Sequence, residues 1–285
     1  MKGIERVPAL ENVGIQTFFC GPESFTPDNR YHLGPAPEVE NLYIAAGLNS
    51  IGIQSAGGIG KVLTDWIRDG SPPMDLNGVD IRRNMPFQSN GRYLHDRVTE
   101  TLGLLYAVHW PFYQYKTSRG VRRMPLHEKH AAQGACFGEV AGWERPNWFA
   151  LEGIEPIEEK SFGHGNWFES VAKECKAIRE KVAIIDQTSF SKIEVSGPGA
   201  MEFLQGIAVN NIRKRVGSVT YTQLCNERGG IQCDLTISRV EKQRFYLVTG
   251  TAFGPHDISW ISRQLPEGSP IRIADITQTK GVLNL

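Results

Sequence analysis

The chain has 285 residues, with 31 Lys and Arg against 31 Asp and Glu, so its formal net charge at pH 7 is zero. Such a length supports one large domain or two to three small ones, and the 40% hydrophobic content is enough to build cores. A neutral balance argues against a nucleic-acid partner, which leaves a basic footprint, and no apolar run approaches the length of a membrane span.

The opening "MKGIERVPALENVGIQTFFC" lacks a basic start followed by a long apolar core. It is also not Arg- and Ser-rich and acid-poor, so neither a signal peptide nor a transit peptide is expected there. Residues 1–70 read as strand, Gly-rich loop and helix. "NLYIAA" is short and continuously apolar, which predicts a strand buried on both faces, as in a parallel sheet. The stretch "AAGLNSIGIQSAGGIGKVL" then carries glycines at 47, 52, 57, 58 and 60. In "GKVLTDWIRDG", Val62, Leu63, Trp66 and Ile67 fall on one helix face, closed by Gly70 and the following prolines.

Residues 71–160 are rich in Arg, His and aromatics, with poor periodicity apart from a helix over 92–108. They read as a small irregular domain or a connecting segment. His127 and His130 share a helix face, but "PLHEKHAAQ" reads as a solvated surface rather than a metal site. The pairs Arg82–Arg83 and Arg122–Arg123 read as surface charge.

Residues 161–285 are more regular. Phe168, Val171, Cys175 and Ile178 form a helix stripe, and Asn166 with Glu169 resembles a capping signal. "SKIEVSG" reads as a strand, after which Pro198 opens a helix at a position proline tolerates. "VTYTQLCNERGGIQCDLTISRV" is a hairpin, "RFYLVTG" another strand, and "GPHDISWISRQL" a further helix. On "IQCDLTI", Ile231, Cys233, Leu235 and Ile237 share one face, and Asp234 points the other way. An acid near a helix start is favourable in itself, so Asp257 and its neighbour His256 need no catalytic role. Cys20, Cys136, Cys175, Cys225 and Cys233 include no Cys-x-x-Cys pair and read as reduced thiols of an intracellular protein, mostly small core residues.

A strand running through glycines into a helix leaves backbone N–H groups and a partial positive charge at one point, a seat for a phosphate or for a flavin edge. Close packing of strand and helix is the competing reading of the same glycines. "GPESFTPD", "LGPAPEVENLYIAAGLNSIGIQSAGGIGKVLTDWI" and "GVDIRR" resemble the flavin domain of the sarcosine and dimethylglycine dehydrogenases. "RRMPLHEKHAAQGACFGEVAGWERPNWF" resembles that family's middle domain. "NWFESVAKECKAIREKVAIIDQTSFSKIEVSG" and "NERGGIQCDLTISRV" resemble the start of its folate-binding domain, shared with the glycine-cleavage T-protein. The sarcosine dehydrogenase branch looks nearest.

The resemblance implies an α+β multidomain chain. Residues 1–70 would be the C-terminal arm of an FAD-binding α/β domain, 71–160 a middle domain, and 161–285 the start of a T-protein-like folate-binding domain. Gly47, Leu48, Asn49, Ser50, Ile51, Gly52 and Ile53 would contact the flavin, with Thr26 and Asp28 fixing the turn before them. Asp234 would stand beside tetrahydrofolate, accepting a proton or orienting its amine. Tyr221 and Val248 would line the same pocket, and Gly250 replaces a T-protein asparagine.

The family's G-x-G-x-x-G turn and its flavin-attaching histidine have no counterpart in this sequence, so an internal piece of a longer mitochondrial-type protein is expected. That piece would be inactive alone, and residues 1–70 would fold poorly in isolation. The implied parent oxidises a small N-methyl amine with FAD, passes the one-carbon unit to tetrahydrofolate, and delivers electrons to an electron-transfer flavoprotein. The alternative is a non-catalytic relative resembling the regulatory subunit of pyruvate dehydrogenase phosphatase. The retained acid in "GGIQCDL" leans toward the enzyme.

Overall fold

The computed structural model describes residues 2–285. The helices are α1 (Lys2–Arg6), α2 (Gly52–Asp69), α3 (Gly91–Leu105), α4 (His127–Ala132), α5 (Phe168–Glu180), α6 (Ala200–Ile207) and α7 (Gly254–Arg263). The strands are β1 (His32–Pro35), β2 (Tyr43–Ala46), β3 (Arg122–Arg123), β4 (Ala135–Val140), β5 (Trp143–Phe149), β6 (Ile185–Asp186), β7 (Ser191–Ser196), β8 (Val219–Cys225), β9 (Ile231–Glu241), β10 (Arg244–Thr249), β11 (Arg272–Asp275) and β12 (Leu283–Asn284).

The first arm corrects two expectations. β2 is not a buried parallel strand; it pairs antiparallel with β1, His32 opposite Ala46 and Pro35 opposite Tyr43, and its residues run from half-buried to exposed. The connection over 36–42 is the reason, since a parallel pair needs a crossover of about a dozen residues or more. Nor are the glycines a long loop. Gly52, Gly57, Gly58 and Gly60 lie inside α2, which tolerates them because burial of Ile59 and Trp66 offsets their weak helix propensity. Ile67 is exposed rather than part of the packed face. Trp66 reaches so close to Gly34 (φ +111°) that a Cβ there would sit 2.6 Å from its ring, so this strand position accepts only glycine.

The stretch 122–149 is regular, contrary to its poor periodicity. β3, β5 and β4 form a three-stranded sheet in that order. β4 and β5 are joined through Ala141 and Gly142, both at positive φ (50° and 81°), the conformation of a two-residue hairpin turn.

The third region is built on a five-stranded antiparallel sheet of order β11-β7-β10-β9-β8. Ile193, Val195, Leu224, Leu235, Ile237, Phe245 and Leu247 meet Leu204 of α6 and Ile261 of α7 in one core. The two-residue alternation of β9 holds for Cys233, Leu235 and Ile237, whereas Ile231 at the strand start is exposed.

Local signals failed where a competing partner exists. α6 starts after Gly199, itself left-handed at φ 86°, so Pro198 lies outside the helix. Asn166 does not cap α5; its amide accepts from Glu159 N and donates to Ile157 O. The stripe Phe168, Cys175, Ile178 is exposed, because α5 turns Ser170 and Glu174 inward, the latter accepting from Phe149 N at 2.8 Å. Only Cys136 and Cys233 of the cysteines are buried, and Cys20 and Cys175 are exposed.

The three regions meet at the segment 79–83. Leu33 N donates to Val79 O at 2.9 Å. Asp80 and Arg82, both 4% exposed, pair at 2.6 Å. Arg83 binds both carboxylate oxygens of Asp28, at 2.8 and 3.0 Å, and donates to Arg30 O at 2.7 Å. Arg122 stacks 4.3 Å over Trp143. Arg82, Arg83 and Arg122 are therefore packing elements rather than surface charge. Asp80→Ala leaves the Arg82 guanidinium buried and unpaired, with an expected loss of about 3–5 kcal/mol, read as a lowered urea midpoint. An unchanged midpoint would contradict the role given to this pair.

Candidate functional site

Two places gather the residues singled out above. The first is the turn from β2 into α2. Gly47, Asn49 and Ser50 have φ of 67°, 45° and 64°, a run of left-handed backbone that glycine and asparagine adopt most readily. Asn49 is 1% exposed. Its Oδ1 accepts from Thr26 N at 2.8 Å, and its Nδ2 donates to Gly47 O at 2.6 Å. Its side chain thus holds the turn together from inside. A Cβ on Gly47 would meet Thr26 Cγ2 at 2.5 Å. Thr26 also donates to Arg30 O, and Asp28 accepts from Arg30 N, so these two residues fix the preceding turn as expected.

Helix α2 has no side-chain N-cap, and the N–H groups of Gly52, Ile53 and Gln54 have no partner among the described residues. Ser50 is exposed and Ile53 fully so. An uncapped terminus of this length, approached through a glycine, fits the edge of a flavin ring or another anionic group.

The second place is a cleft of about 520 Å³ over the outer face of β8, β9 and β10. Tyr221, Asp234 and Val248 all line it, together with Asn77, Phe253 and Asp257. Strand register accounts for the gathering: Gln223 lies opposite Asp234, while Tyr221 and Val248 both face Thr236. Asp234 is exposed, and Gln223 Nε2 donates to its Oδ1 at 3.3 Å. The Tyr221 phenol is raised above its ordinary range, first by hydrogen bonding toward the Asp234 carboxylate, then by desolvation and by that carboxylate's negative charge. Gly250 is crowded by Phe253, whose ring would lie 2.9 Å from a Cβ there. A side chain at this position, such as an asparagine, would displace that aromatic wall. No residue of 47–53 lines this cleft, so the two places are separate.

The structure adds residues that sequence reasoning passed over. Asp257 is 1% exposed and lines the cleft. Burial, and then the Asp257 charge, push the Cys233 thiol well above its ordinary range. His256, 5% exposed, pairs with Asp257 at 2.9 Å. The signal was two adjacent polar residues at a helix start, which carries no sign of burial.

His127 and His130 are not a solvated surface either. His127 stacks on Phe137 at 4.4 Å, and His130 Nε2 contacts the buried Asp186 at 3.2 Å. Among the described residues no group of three or more His, Cys, Asp or Glu is arranged to hold a metal ion, and no helix is long and apolar enough to cross a membrane.

The raised phenol of Tyr221 supplies a test of the cleft's electrostatics. Asp234→Asn removes the neighbouring charge, and the Tyr221 titration should fall back toward about 10, read by ultraviolet difference titration against Tyr221→Phe. A titration unmoved by the substitution would contradict the coupling.

Comparison with known proteins follows this geometry. The family described as "FAD dependent oxidoreductase" matches residues 1–66, "FAD dependent oxidoreductase central domain" matches 69–123, and "GCVT N-terminal domain" matches 126–285. The chain is 44% identical over 271 residues to 4-methylaminobutanoate oxidase (formaldehyde-forming) of Paenarthrobacter nicotinovorans, covering 95% of this chain and 33% of that protein. It is 34% identical to the mitochondrial pyruvate dehydrogenase phosphatase regulatory subunit of Mus musculus, covering 99% of this chain and 33% of that one. It is 32% identical to the mitochondrial sarcosine dehydrogenase of Homo sapiens, covering 99% and 35% respectively. The chain thus spans about a third of the length of the curated relatives it matches. It belongs to the sarcosine and dimethylglycine dehydrogenase family, joining part of an FAD-dependent oxidoreductase domain to a glycine-cleavage T-protein-like domain.

Proposed function

We propose that this chain serves an FAD-dependent oxidative N-demethylation of a small N-methyl amine, with transfer of the one-carbon unit to tetrahydrofolate. The observation that carries the reading is the coexistence of two sites in one chain. One is an uncapped, glycine-lined helix start at 47–53; the other is a separate acid-bearing cleft at Asp234. The names of the relatives, an oxidase of 4-methylaminobutanoate and a sarcosine dehydrogenase, supply the substrate class.

FAD, when bound, supplies the hydride acceptor for the N-methyl carbon. The chain's part in the first site is electrostatic. The N–H groups of Gly52, Ile53 and Gln54 favour negative charge on a ring edge, and Gly47 lets that edge approach. Leu48, Ile51 and the exposed Ile53 offer apolar contact around it.

In the second site Asp234 would accept a proton from the folate amine, or orient it, as the one-carbon unit is transferred. Tyr221, Val248 and Phe253 would wall the heterocycle. The regions divide at 1–70, 71–160 and 161–285 on this reading. Electron-transfer flavoprotein is the proposed acceptor and the mitochondrial matrix the proposed compartment, since two relatives carry "mitochondrial" in their names.

The regulatory reading draws on identity to the phosphatase subunit comparable with that to sarcosine dehydrogenase. The acid at Asp234 in its open cleft, and the open flavin-type turn, favour the enzyme.

The test is anaerobic mixing of the native, flavin-loaded polypeptide carrying this sequence with sarcosine, dimethylglycine or 4-methylaminobutanoate. The flavin absorbance should bleach with at least one of them, and Gly47→Ala should weaken flavin retention. A flavin-loaded protein that none of the three reduces would overturn the enzyme reading.

A further inference from the structure

A cleft of about 740 Å³ opens between the segments 108–112 and 158–167. None of residues 47–53 lines it, and neither do Tyr221, Asp234 or Val248, so it is separate from both sites described above. Its walls are aromatic: Trp110, Phe112, Phe162 and Trp167. The Trp110 and Phe162 rings meet at 4.8 Å and 57°, an open wedge rather than a stacked pair. Trp167 folds back over Gly165, where a Cβ would collide with its indole nitrogen.

Both segments are pinned from behind. Asn166 accepts from Glu159 N and donates to Ile157 O, which closes the second segment on itself. In the first, His109 Nδ1 donates to Trp110 O at 2.8 Å, and the Tyr113 hydroxyl donates to Glu100 at 3.0 Å. The aromatic surface is nonetheless uncovered, with Phe112 at 87% exposure and Phe162 fully exposed. Phe112 also holds a φ of 57°, a left-handed backbone that is costly for a bulky residue. Its ring gains little burial in return, and a side chain held in this way at a cleft rim points to binding.

Charge narrows the occupant. Glu158 pairs with Lys160 at 2.5 Å, whereas Glu159, which also lines the cleft, has no cation partner among the described residues. The uncompensated charge is therefore negative, and aromatic faces attract a cation as well. A primary ammonium would give up its water here and meet ring faces in place of hydrogen-bond acceptors. A nitrogen that carries only carbon substituents has no N–H to satisfy and suits such walls.

We propose that this cleft binds a small quaternary ammonium compound, walled by Trp110, Phe162 and Trp167, with Glu159 as its counter-charge. Such a nitrogen has no lone pair to assist hydride loss from an attached methyl group. The compound is therefore a ligand at this place and not a substrate for N-demethylation, and the site stands independently of that reading.

The test titrates the native polypeptide carrying this sequence with choline, followed by saturation-transfer NMR of the N-methyl protons. The control is 3,3-dimethylbutan-1-ol, which has the same shape without the charge. Choline should bind saturably, and at least about threefold more tightly than the alcohol. Trp110→Ala should weaken choline binding about three- to tenfold. Glu159→Gln, at an exposed position whose side chain makes no hydrogen bond in the fold, should weaken it about two- to fivefold. It should also flatten the dependence on ionic strength and leave the alcohol unaffected. An alcohol that binds as tightly as choline, a folded Trp110→Ala protein of unaltered affinity, a Glu159→Gln protein of unaltered affinity, or no saturable binding by the unsubstituted polypeptide would each overturn the proposal. Flavin bleaching by N-methyl amines is scored separately, so loss of this site and loss of the demethylation reading give different results.

Discussion

The packing of this chain depends on two adjacent arginines doing different jobs. Arg82 turns inward to Asp80, both nearly inaccessible, while Arg83 reaches back to Asp28 and the carbonyl of Arg30. A buried pair is an uncertain source of net stability, because desolvation offsets attraction, but it is strongly unfavourable to break. It therefore acts as a constraint on position. Asp28 precedes β1, Asp80 pairs beside Leu33, and His256 lines the same space from α7. Moving this clamp would move the turn that presents residues 47–53 and the Asp234 cleft.

From that constraint the two candidate sites follow by different physics. The turn at Gly47 is a backbone site: its useful groups are unpaired N–H donors, and its side chains, Asn49 above all, are spent on holding the left-handed run in place. The Asp234 cleft is a side-chain site on rigid strands, where register alone sets Tyr221, Asp234 and Val248 together. Phe253 lines that cleft near α7, and it packs where any side chain at position 250 would go. On the proposed folate reading, the Phe253 wall beside Gly250 would meet the heterocycle by its face rather than by its edge.

Much of the third region was legible because a half-buried strand writes its burial as a period of two. Cys233, Leu235 and Ile237 inward and Asp234 outward could be read from the residues alone. The first arm was harder. A continuous apolar run says that a segment is buried, not in which direction its partner runs, and the short link to β1 decided the matter for β2. The glycines of α2 misled because local propensity was outweighed by Ile59 and Trp66, whose packing is a tertiary fact. Asn166 looked like a helix start, yet its amide is taken by Glu159 N and Ile157 O, whereas Pro198 lies in the turn just before α6. The buried His256–Asp257 pair was illegible for a related reason. His256 and Asp257 look like ordinary polar residues at a helix N-terminus, and only the elements folded over α7 make them buried.

The proposed reduced-folate site in the Asp234 cleft is probed by titrating the chain with (6S)-5-formyltetrahydrofolate while recording backbone amide shifts. Saturable binding is expected, with perturbations at Tyr221, Asp234, Val248 and Phe253, weakened at least about tenfold by Asp234→Asn through the loss of one charge-assisted hydrogen bond. Absence of binding, or binding that perturbs other surfaces and ignores the substitution, would contradict it.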